Sequence, residues 1–147
     1  MRVSTGGELV GTTFRLVVSA CLVLFISACS QSPEELLVGD WKGLDGTGQT
    51  ASLVFNQDGT VAMIQGSTVL DGKSIGGEVR WTLDATKDPM HLDVVVSPSS
   101  GQKSYMRMIL RFITNDKVQA RMSEDGITWP TGFSAAEDAY QVLLERQ

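Results

Sequence analysis

Met106-Arg107-Met108-Ile109-Leu110-Arg111-Phe112-Ile113-Thr114-Asn115-Asp116-Lys117-Val118-Gln119-Ala120-Arg121-Met122 spells out two strands and the turn between them. Met106, Met108, Leu110 and Phe112 alternate with Arg107, Ile109, Arg111 and Ile113, the two-residue period of a strand. Thr114-Asn115-Asp116 supplies a tight connection, after which Val118, Ala120 and Met122 alternate again. The same pattern extends outward in both directions. Upstream, residues 50–56 place Ala51, Leu53 and Phe55 on one face, and Gln57-Asp58-Gly59 turns the chain into residues 60–65, where Val61 and Met63 alternate with Ala62 and Ile64. Residues 78–83 put Val79, Trp81 and Leu83 in phase, and Leu92, Val94 and Val96 share a face in the next segment. Downstream, Tyr140, Val142 and Leu144 are in phase over residues 140–145. With residues 40–44 at the start, this makes about eight short strands separated by turn residues, the spacing of a sandwich or barrel rather than of alternating β and α units. The expected fold class is all-β and antiparallel.

Two short helical turns interrupt the strands. Ser32-Pro33-Glu34-Glu35 has a capping serine, proline at the first helical position and glutamate three residues after the cap, and Gly39 can end that turn with Leu36 and Leu37 packed inward. Ser134-Ala135-Ala136-Glu137 repeats the cap spacing before the last strand.

A short helical turn, then Gly39-Asp40-Trp41 opening the first strand, then an up-and-down series of strands and a small helix before the end resembles the lipocalin plan. It is particularly similar to the lipocalin-like domains of small bacterial secreted proteins and lipoproteins, whose functions are mostly unassigned. Residues 37–43, 53–61 and 128–146 carry the likeness. The resemblance implies a small up-and-down barrel of about eight strands, closed at one end by Trp41 under an arginine of the final strand, Arg146.

At the N-terminus, Arg2 and Arg15 provide positive charge and residues 16–28 are almost all apolar or small, as in a secretory signal; Glu8 is atypical there. The run is shorter than the roughly 20 residues of a membrane span. It ends in Ile26-Ser27-Ala28-Cys29, which resembles the lipobox of bacterial lipoproteins. The resemblance implies cleavage between Ala28 and Cys29, a diacylglycerol on the Cys29 thiol and acylation of the new amino terminus. Cys21 would be discarded with the leader. A single acyl chain binds a bilayer reversibly and two or more hold stably, so a triacylated chain is expected to stay in the cell envelope. Ser30 and Gln31 follow the cysteine, and the absence of aspartate there implies the outer membrane where an organism has two membranes. The expected organisation is a lipoprotein signal peptide over residues 1–28, a lipidated tether over 29–35 and a lipocalin-like β-barrel over 36–147.

Of the 147 residues, removal of 28 leaves 119, enough for one domain with its own core. The net charge of −5 becomes −6 once Arg2, Arg15 and Glu8 are lost. An acidic domain without a basic patch argues against nucleic-acid binding. No cysteine follows Cys29, so burial rather than a disulfide must hold the domain together.

No enzyme is expected. His91, the one histidine, alternates outward from Leu92, Val94 and Val96 next to Asp93 and reads as a solvated strand residue, because a zinc site needs three or four ligands and none are at hand. Gly43, Gly46 and Gly48 lack the ending of a phosphate-binding loop and read as a connection between the first two strands. Asp84, Asp88, Asp93, Asp116, Glu124 and Asp125 mostly fall in turns, which turn chemistry explains without glycosidic catalysis. No cofactor or metal is implied. An eight-stranded barrel is either filled by side chains or holds one small ligand. Phe55, Trp81, Met106, Met108, Phe112 and Tyr140 can fill much of the interior, and Trp81, Met106 and Met108 are the candidates to line a pocket for a small apolar molecule. The alternative is an envelope protein-protein interaction or inhibitor module acting through loops 97–104 or 126–133, with Trp129 either an exposed anchor or a cap on the barrel end. In both cases residues 30–35 reach at most about 20 Å, so the domain rides close to the membrane.

Overall fold

Alternation in the sequence becomes a continuous antiparallel sheet. The computed structural model describes residues 30–133 and 139–147. Among them are one helix, α1 (Pro33–Leu37), and nine strands: β1 (Gly39–Asp45), β2 (Thr50–Phe55), β3 (Val61–Gln65), β4 (Thr68–Leu70), β5 (Gly77–Asp84), β6 (Met90–Pro98), β7 (Ser104–Thr114), β8 (Lys117–Met122) and β9 (Gln141–Arg146). Their order is β4-β3-β2-β1-β9-β8-β7-β6-β5, so strands consecutive in sequence lie side by side except β4 and β5, which form the two edges, and the last strand pairs with the first. The result is an up-and-down, nearly closed barrel whose one seam lies between the β3–β4 hairpin and β5. That seam is stitched over part of its length by a bridge between Thr60 and Arg80 and by the Trp81 amide donating to the Gly59 carbonyl at 2.9 Å.

The inward faces are those the alternation marks. Leu53, Phe55, Val61, Val79, Trp81, Leu92, Val94, Met108, Leu110, Val118, Ala120 and Leu144 form one buried core with Trp41 and Leu37. Leu92 and Leu144 are fully buried. Removal of such apolar surface from water is the main force for closure.

Helix α1 begins as the capping pattern requires. The Ser32 hydroxyl accepts from the Glu35 amide at 3.2 Å and the Glu35 carboxylate accepts from the Ser32 amide at 3.0 Å. Leu37 is buried and Leu36 only half so.

The all-β antiparallel barrel expected with about eight strands has nine: β4 follows a Gly66-Ser67 turn and has three residues, too few for alternation to register. Other expectations need correction. Gly43 belongs to the interior of β1, not to the connection after it. A Cβ there would lie 1.8 Å from the Leu143 carbonyl oxygen, so glycine is what lets β1 and β9 approach and the sheet curl shut. Asp93 lies in mid-strand on β6, not in a turn. Tyr140 precedes β9 and is exposed. The helical turn expected at residues 134–137 lies outside the described residues.

Candidate functional site

The two ends of the barrel differ. At one end lie α1, the start of β1, the β2–β3 and β7–β8 turns and the end of β9. Here the Trp41 ring is buried, its indole N–H donates to the Leu37 carbonyl at 2.7 Å, and the ring packs against Phe112 at 6.2 Å between centroids. The Arg146 guanidinium lies 4.4 Å from the Trp41 ring centroid. It donates to the Val38 carbonyl at 2.9 Å, to the Leu36 carbonyl and to the Asp116 carboxylate at 3.2 Å. Gly39, at φ +134°, leaves room for this arrangement, because a Cβ there would meet Arg146 Nη1 at 2.7 Å. This end is sealed.

The other end is hollow. A cavity of about 210 Å³ opens between the β1–β2 and β3–β4 hairpins, the start of β7 and the end of β8. Four methionines line it: Met63, Met106, Met108 and Met122. Met108 and Met122 face each other across β7 and β8, and Met106 follows Met108 on the same face. Leu53, Leu70, Ala120 and Val142 complete an apolar wall. Asp45, Gln65, Thr68 and Tyr140 supply polar groups toward the rim.

Asp45 is the one charged side chain among the described residues that line this space. It ends the inward column Trp41, Gly43, Asp45 of β1 and is 7% exposed. Its Oδ1 accepts from the Thr47 hydroxyl at 2.7 Å and from the Thr47 and Gln49 amides at 2.9 Å each. Oδ2 accepts from Gln65 Nε2 at 3.0 Å. These donors, the Thr47 hydroxyl foremost and the Gln49 amide next, outweigh burial and hold the carboxyl down to about 2.

Of the expected pocket residues, Met106 and Met108 line the cavity and Trp81 does not. The Trp81 ring packs edge-on against Phe55 at 5.3 Å, and its indole N–H donates to the Asn56 carbonyl at 3.3 Å, so it stitches the seam in the sealed half. Trp41 and Arg146 lie together at the sealed end. Ala28 and Cys29 lie outside the described residues. Met63 and Met122 join the cavity from strands whose phase was legible, and Tyr140 joins it from the turn just before β9. Asp45 gave no such signal, since Asp45-Gly46-Thr47-Gly48 reads as turn chemistry.

A strap crosses the outer wall. Residues 123–133 lie over β6, β7 and β8, and Trp129 stacks on His91 at 4.0 Å between centroids. Trp129 is therefore neither a free anchor nor a barrel cap, and His91 is half-buried beneath its ring, still partly in contact with solvent. Arg107 reaches the Trp129 ring at 5.2 Å and donates to the Ile127 carbonyl, while Arg111 lies 4.6 Å from the Phe133 ring. Ile109, on the outward face of β7, is fully buried on this side of the wall. Asp125 anchors the strap by accepting from the Ser123 and Thr128 hydroxyls and the Ile127 and Thr128 amides, which hold its carboxyl well below the usual range.

Among the described residues no group of three or more His, Cys, Asp or Glu is placed to hold a metal, and no helix is long and apolar enough to cross a membrane. Comparison with protein-family models, curated proteins and solved structures gave no match.

Proposed function

We propose that this chain is a bacterial lipoprotein, anchored in the cell envelope through acyl chains on Cys29, whose lipocalin-like barrel binds a small apolar molecule in the methionine-lined cavity. The observation that carries the reading is the asymmetry of the barrel. One end is sealed by Trp41, Arg146 and α1, and the other holds about 210 Å³ of space walled by four flexible, polarisable thioether side chains. Methionine adapts its shape to apolar guests, and ligand sites are typically apolar hollows with a few polar groups at fixed points. The volume is below the roughly 300–1,000 Å³ of drug-sized sites, so it suits a compact molecule or one end of a longer chain. The tether would leave from the sealed end, so the mouth turns away from the bilayer.

Native mass spectrometry of the protein extracted gently from its own envelope tests the reading. A reproducible adduct that disappears in Met108→Trp is the expected result. A cavity found empty in every preparation, with Met108→Trp behaving as wild type in cells, would overturn it. The anchor is tested separately: Cys29→Ser should block both acylation and removal of the leader, read by mass spectrometry as an unacylated chain that still carries residues 1–28, and a chain cut at the same place as wild type would overturn the anchor.

A second reading, an interaction module in the envelope, draws on Ile127, 72% exposed at the edge of the strap. Crosslinking from position 127 in intact cells should then capture one defined partner.

A further inference from the structure

The chemistry of the cavity rim narrows the ligand class, an inference that rests on the cavity being a binding site. We infer that the cavity selects an apolar molecule ending in a hydrogen-bond donor, best a primary ammonium, which docks on Asp45 Oδ2, and that it rejects fatty carboxylates.

Three observations support this. First, the described residues lining the cavity include one carboxylate and no lysine, arginine or histidine. An anionic head would meet an unscreened like charge in a space of low dielectric, and nothing of opposite sign to offset it. Second, the two oxygens of Asp45 are unequally engaged. Oδ1 accepts three hydrogen bonds inside the β1–β2 turn, whereas Oδ2 accepts one, from Gln65. A carboxylate oxygen has about two acceptor positions, so Oδ2 keeps capacity for a further donor. Third, Gln65, the partner of Oδ2, itself lines the cavity, whereas Thr47 and Gln49, the partners of Oδ1, do not. The turn fixes the carboxylate before any ligand arrives, and a fixed acceptor loses little freedom on binding. The carboxyl, held down to about 2, is ionised at any physiological pH. A hydroxyl and an ammonium both make charge-assisted hydrogen bonds to this carboxylate, but the ammonium adds attraction between opposite unit charges, which sets it above hydroxyl as the preferred head.

Methionine methyl NMR reads this directly. The full chain, labelled with ¹³C-methyl methionine and held in zwitterionic nanodiscs, is titrated with 1-octylammonium, 1-octanol and octanoate, with free concentrations corrected for partition into lipid. Octylammonium and octanol should shift the methyls of Met63, Met106, Met108 and Met122 and leave that of Met90, which lies outside the cavity lining. Octylammonium should saturate at about ten-fold lower free concentration than octanol, and octanoate should shift none of them. Asp45→Asn should abolish the preference for octylammonium, weakening it by about ten-fold or more, and should weaken octanol by less. Should that variant fail to fold, Overhauser contacts in the wild type decide, running from the ligand's α-methylene to the Gln65 amide and from its terminal methyl to Ala120. Octanol binding with octylammonium no tighter, or octanoate binding equally well, overturns the Asp45 inference and leaves the cavity reading standing. No shift with any of the three overturns the cavity reading itself.

Discussion

Arg146 and Trp41 are register partners on adjacent antiparallel strands, and the guanidinium of one lies 4.4 Å from the ring centroid of the other. The pair joins the last strand to the first. Trp41 fills the sealed end from inside, and Arg146 ties α1 and the β7–β8 turn over it through the Leu36, Val38 and Asn115 carbonyls and the Asp116 carboxylate. A planar fork reaches several acceptors at once, which an ammonium does not.

Replacing that fork should therefore cost more than the loss of a charge. Arg146→Ala is expected to destabilise the domain by about 2–4 kcal/mol, the sum of a partly buried cation–π contact and charge-assisted hydrogen bonds. Arg146→Lys should recover less than half of this. Urea denaturation followed by circular dichroism measures both, and equal stability of the lysine variant and the wild type would contradict the role given to the fork.

Closure depends as strongly on an absent side chain. Because a Cβ at Gly43 would lie 1.8 Å from the Leu143 carbonyl oxygen, Gly43→Ala must push β1 from β9. The nearest atoms are all backbone of β9, with no flexible side chain to give way, so a loss beyond about 4 kcal/mol is expected. Gly48→Ala is the control, since nothing lies within 4 Å of a Cβ there and only its φ of +85° opposes the change. It should cost about 1 kcal/mol. Thermal unfolding of the two variants side by side tests the contrast.

The carboxylates of Asp45 and Asp125 titrate lower in the folded chain than in the unfolded one. Their stabilisation is thus fully present above the ordinary carboxylate value of 3.8. For Asp45 it fades as pH falls toward about 2. The midpoint of thermal unfolding should hold steady from pH 7 to 5 and fall steeply between pH 4 and 2. The double variant Asp45→Asn, Asp125→Asn should start lower at pH 7 and fall less. A parallel acid profile in the two proteins would show that these turns do not set the acid sensitivity.

How much of this was legible in the sequence follows from what alternation encodes. A strand facing a single core announces its inner column, so Leu53 and Phe55, Val79 and Trp81, Leu92 to Val96 and Met106 to Phe112 were all in phase. Alternation says which face a side chain takes but not how far along the barrel it sits. Trp81 and Met108 share an interior, yet one closes the seam and the other lines the hollow. Asp45 was hidden for a different reason: one carboxylate serves both as turn cap and as rim, and turn chemistry accounts for the residue type without the second role. The strap was hidden because its contacts are long-range. Nothing near His91 in sequence foretells Trp129, and Ile109, which alternation sends outward, is buried on the outer wall.

The strap should behave as one coupled unit. His91 and Trp129 stack at 4.0 Å, and such pairs contribute about 0.5–1.5 kcal/mol beyond their area. In a double-mutant cycle of His91→Ala and Trp129→Ala, a coupling in that range is expected, with amide exchange of β7 accelerated at Ile109 in the Trp129 variant. Additive losses would mean that the strap is held by its other contacts, those of Asp125, Arg107, Arg111 and Arg121, without help from the stack.

Under the proposed acylation of Cys29, orientation at the membrane follows from where the chain enters the barrel. Helix α1 starts at Pro33 on the sealed end, so with Cys29 in the bilayer surface the intervening residues 30–32 extend no more than about 10 Å. The Asn115 turn lies at that end, its carbonyl held by Arg146. The Ser67 turn between β3 and β4 lies beside the cavity. Seven residues of β1 separate the two levels, about 20 Å along a strand. A fluorophore at position 115 should therefore be quenched strongly by lipids carrying a nitroxide on the headgroup, and one at position 67 weakly. A ligand would then enter from the aqueous side, and apolar molecules dissolved in the membrane would have to leave it to reach the methionines. Equal quenching at both positions would mean that the barrel lies on its side with the mouth against the lipid, and the route of entry would be the membrane itself.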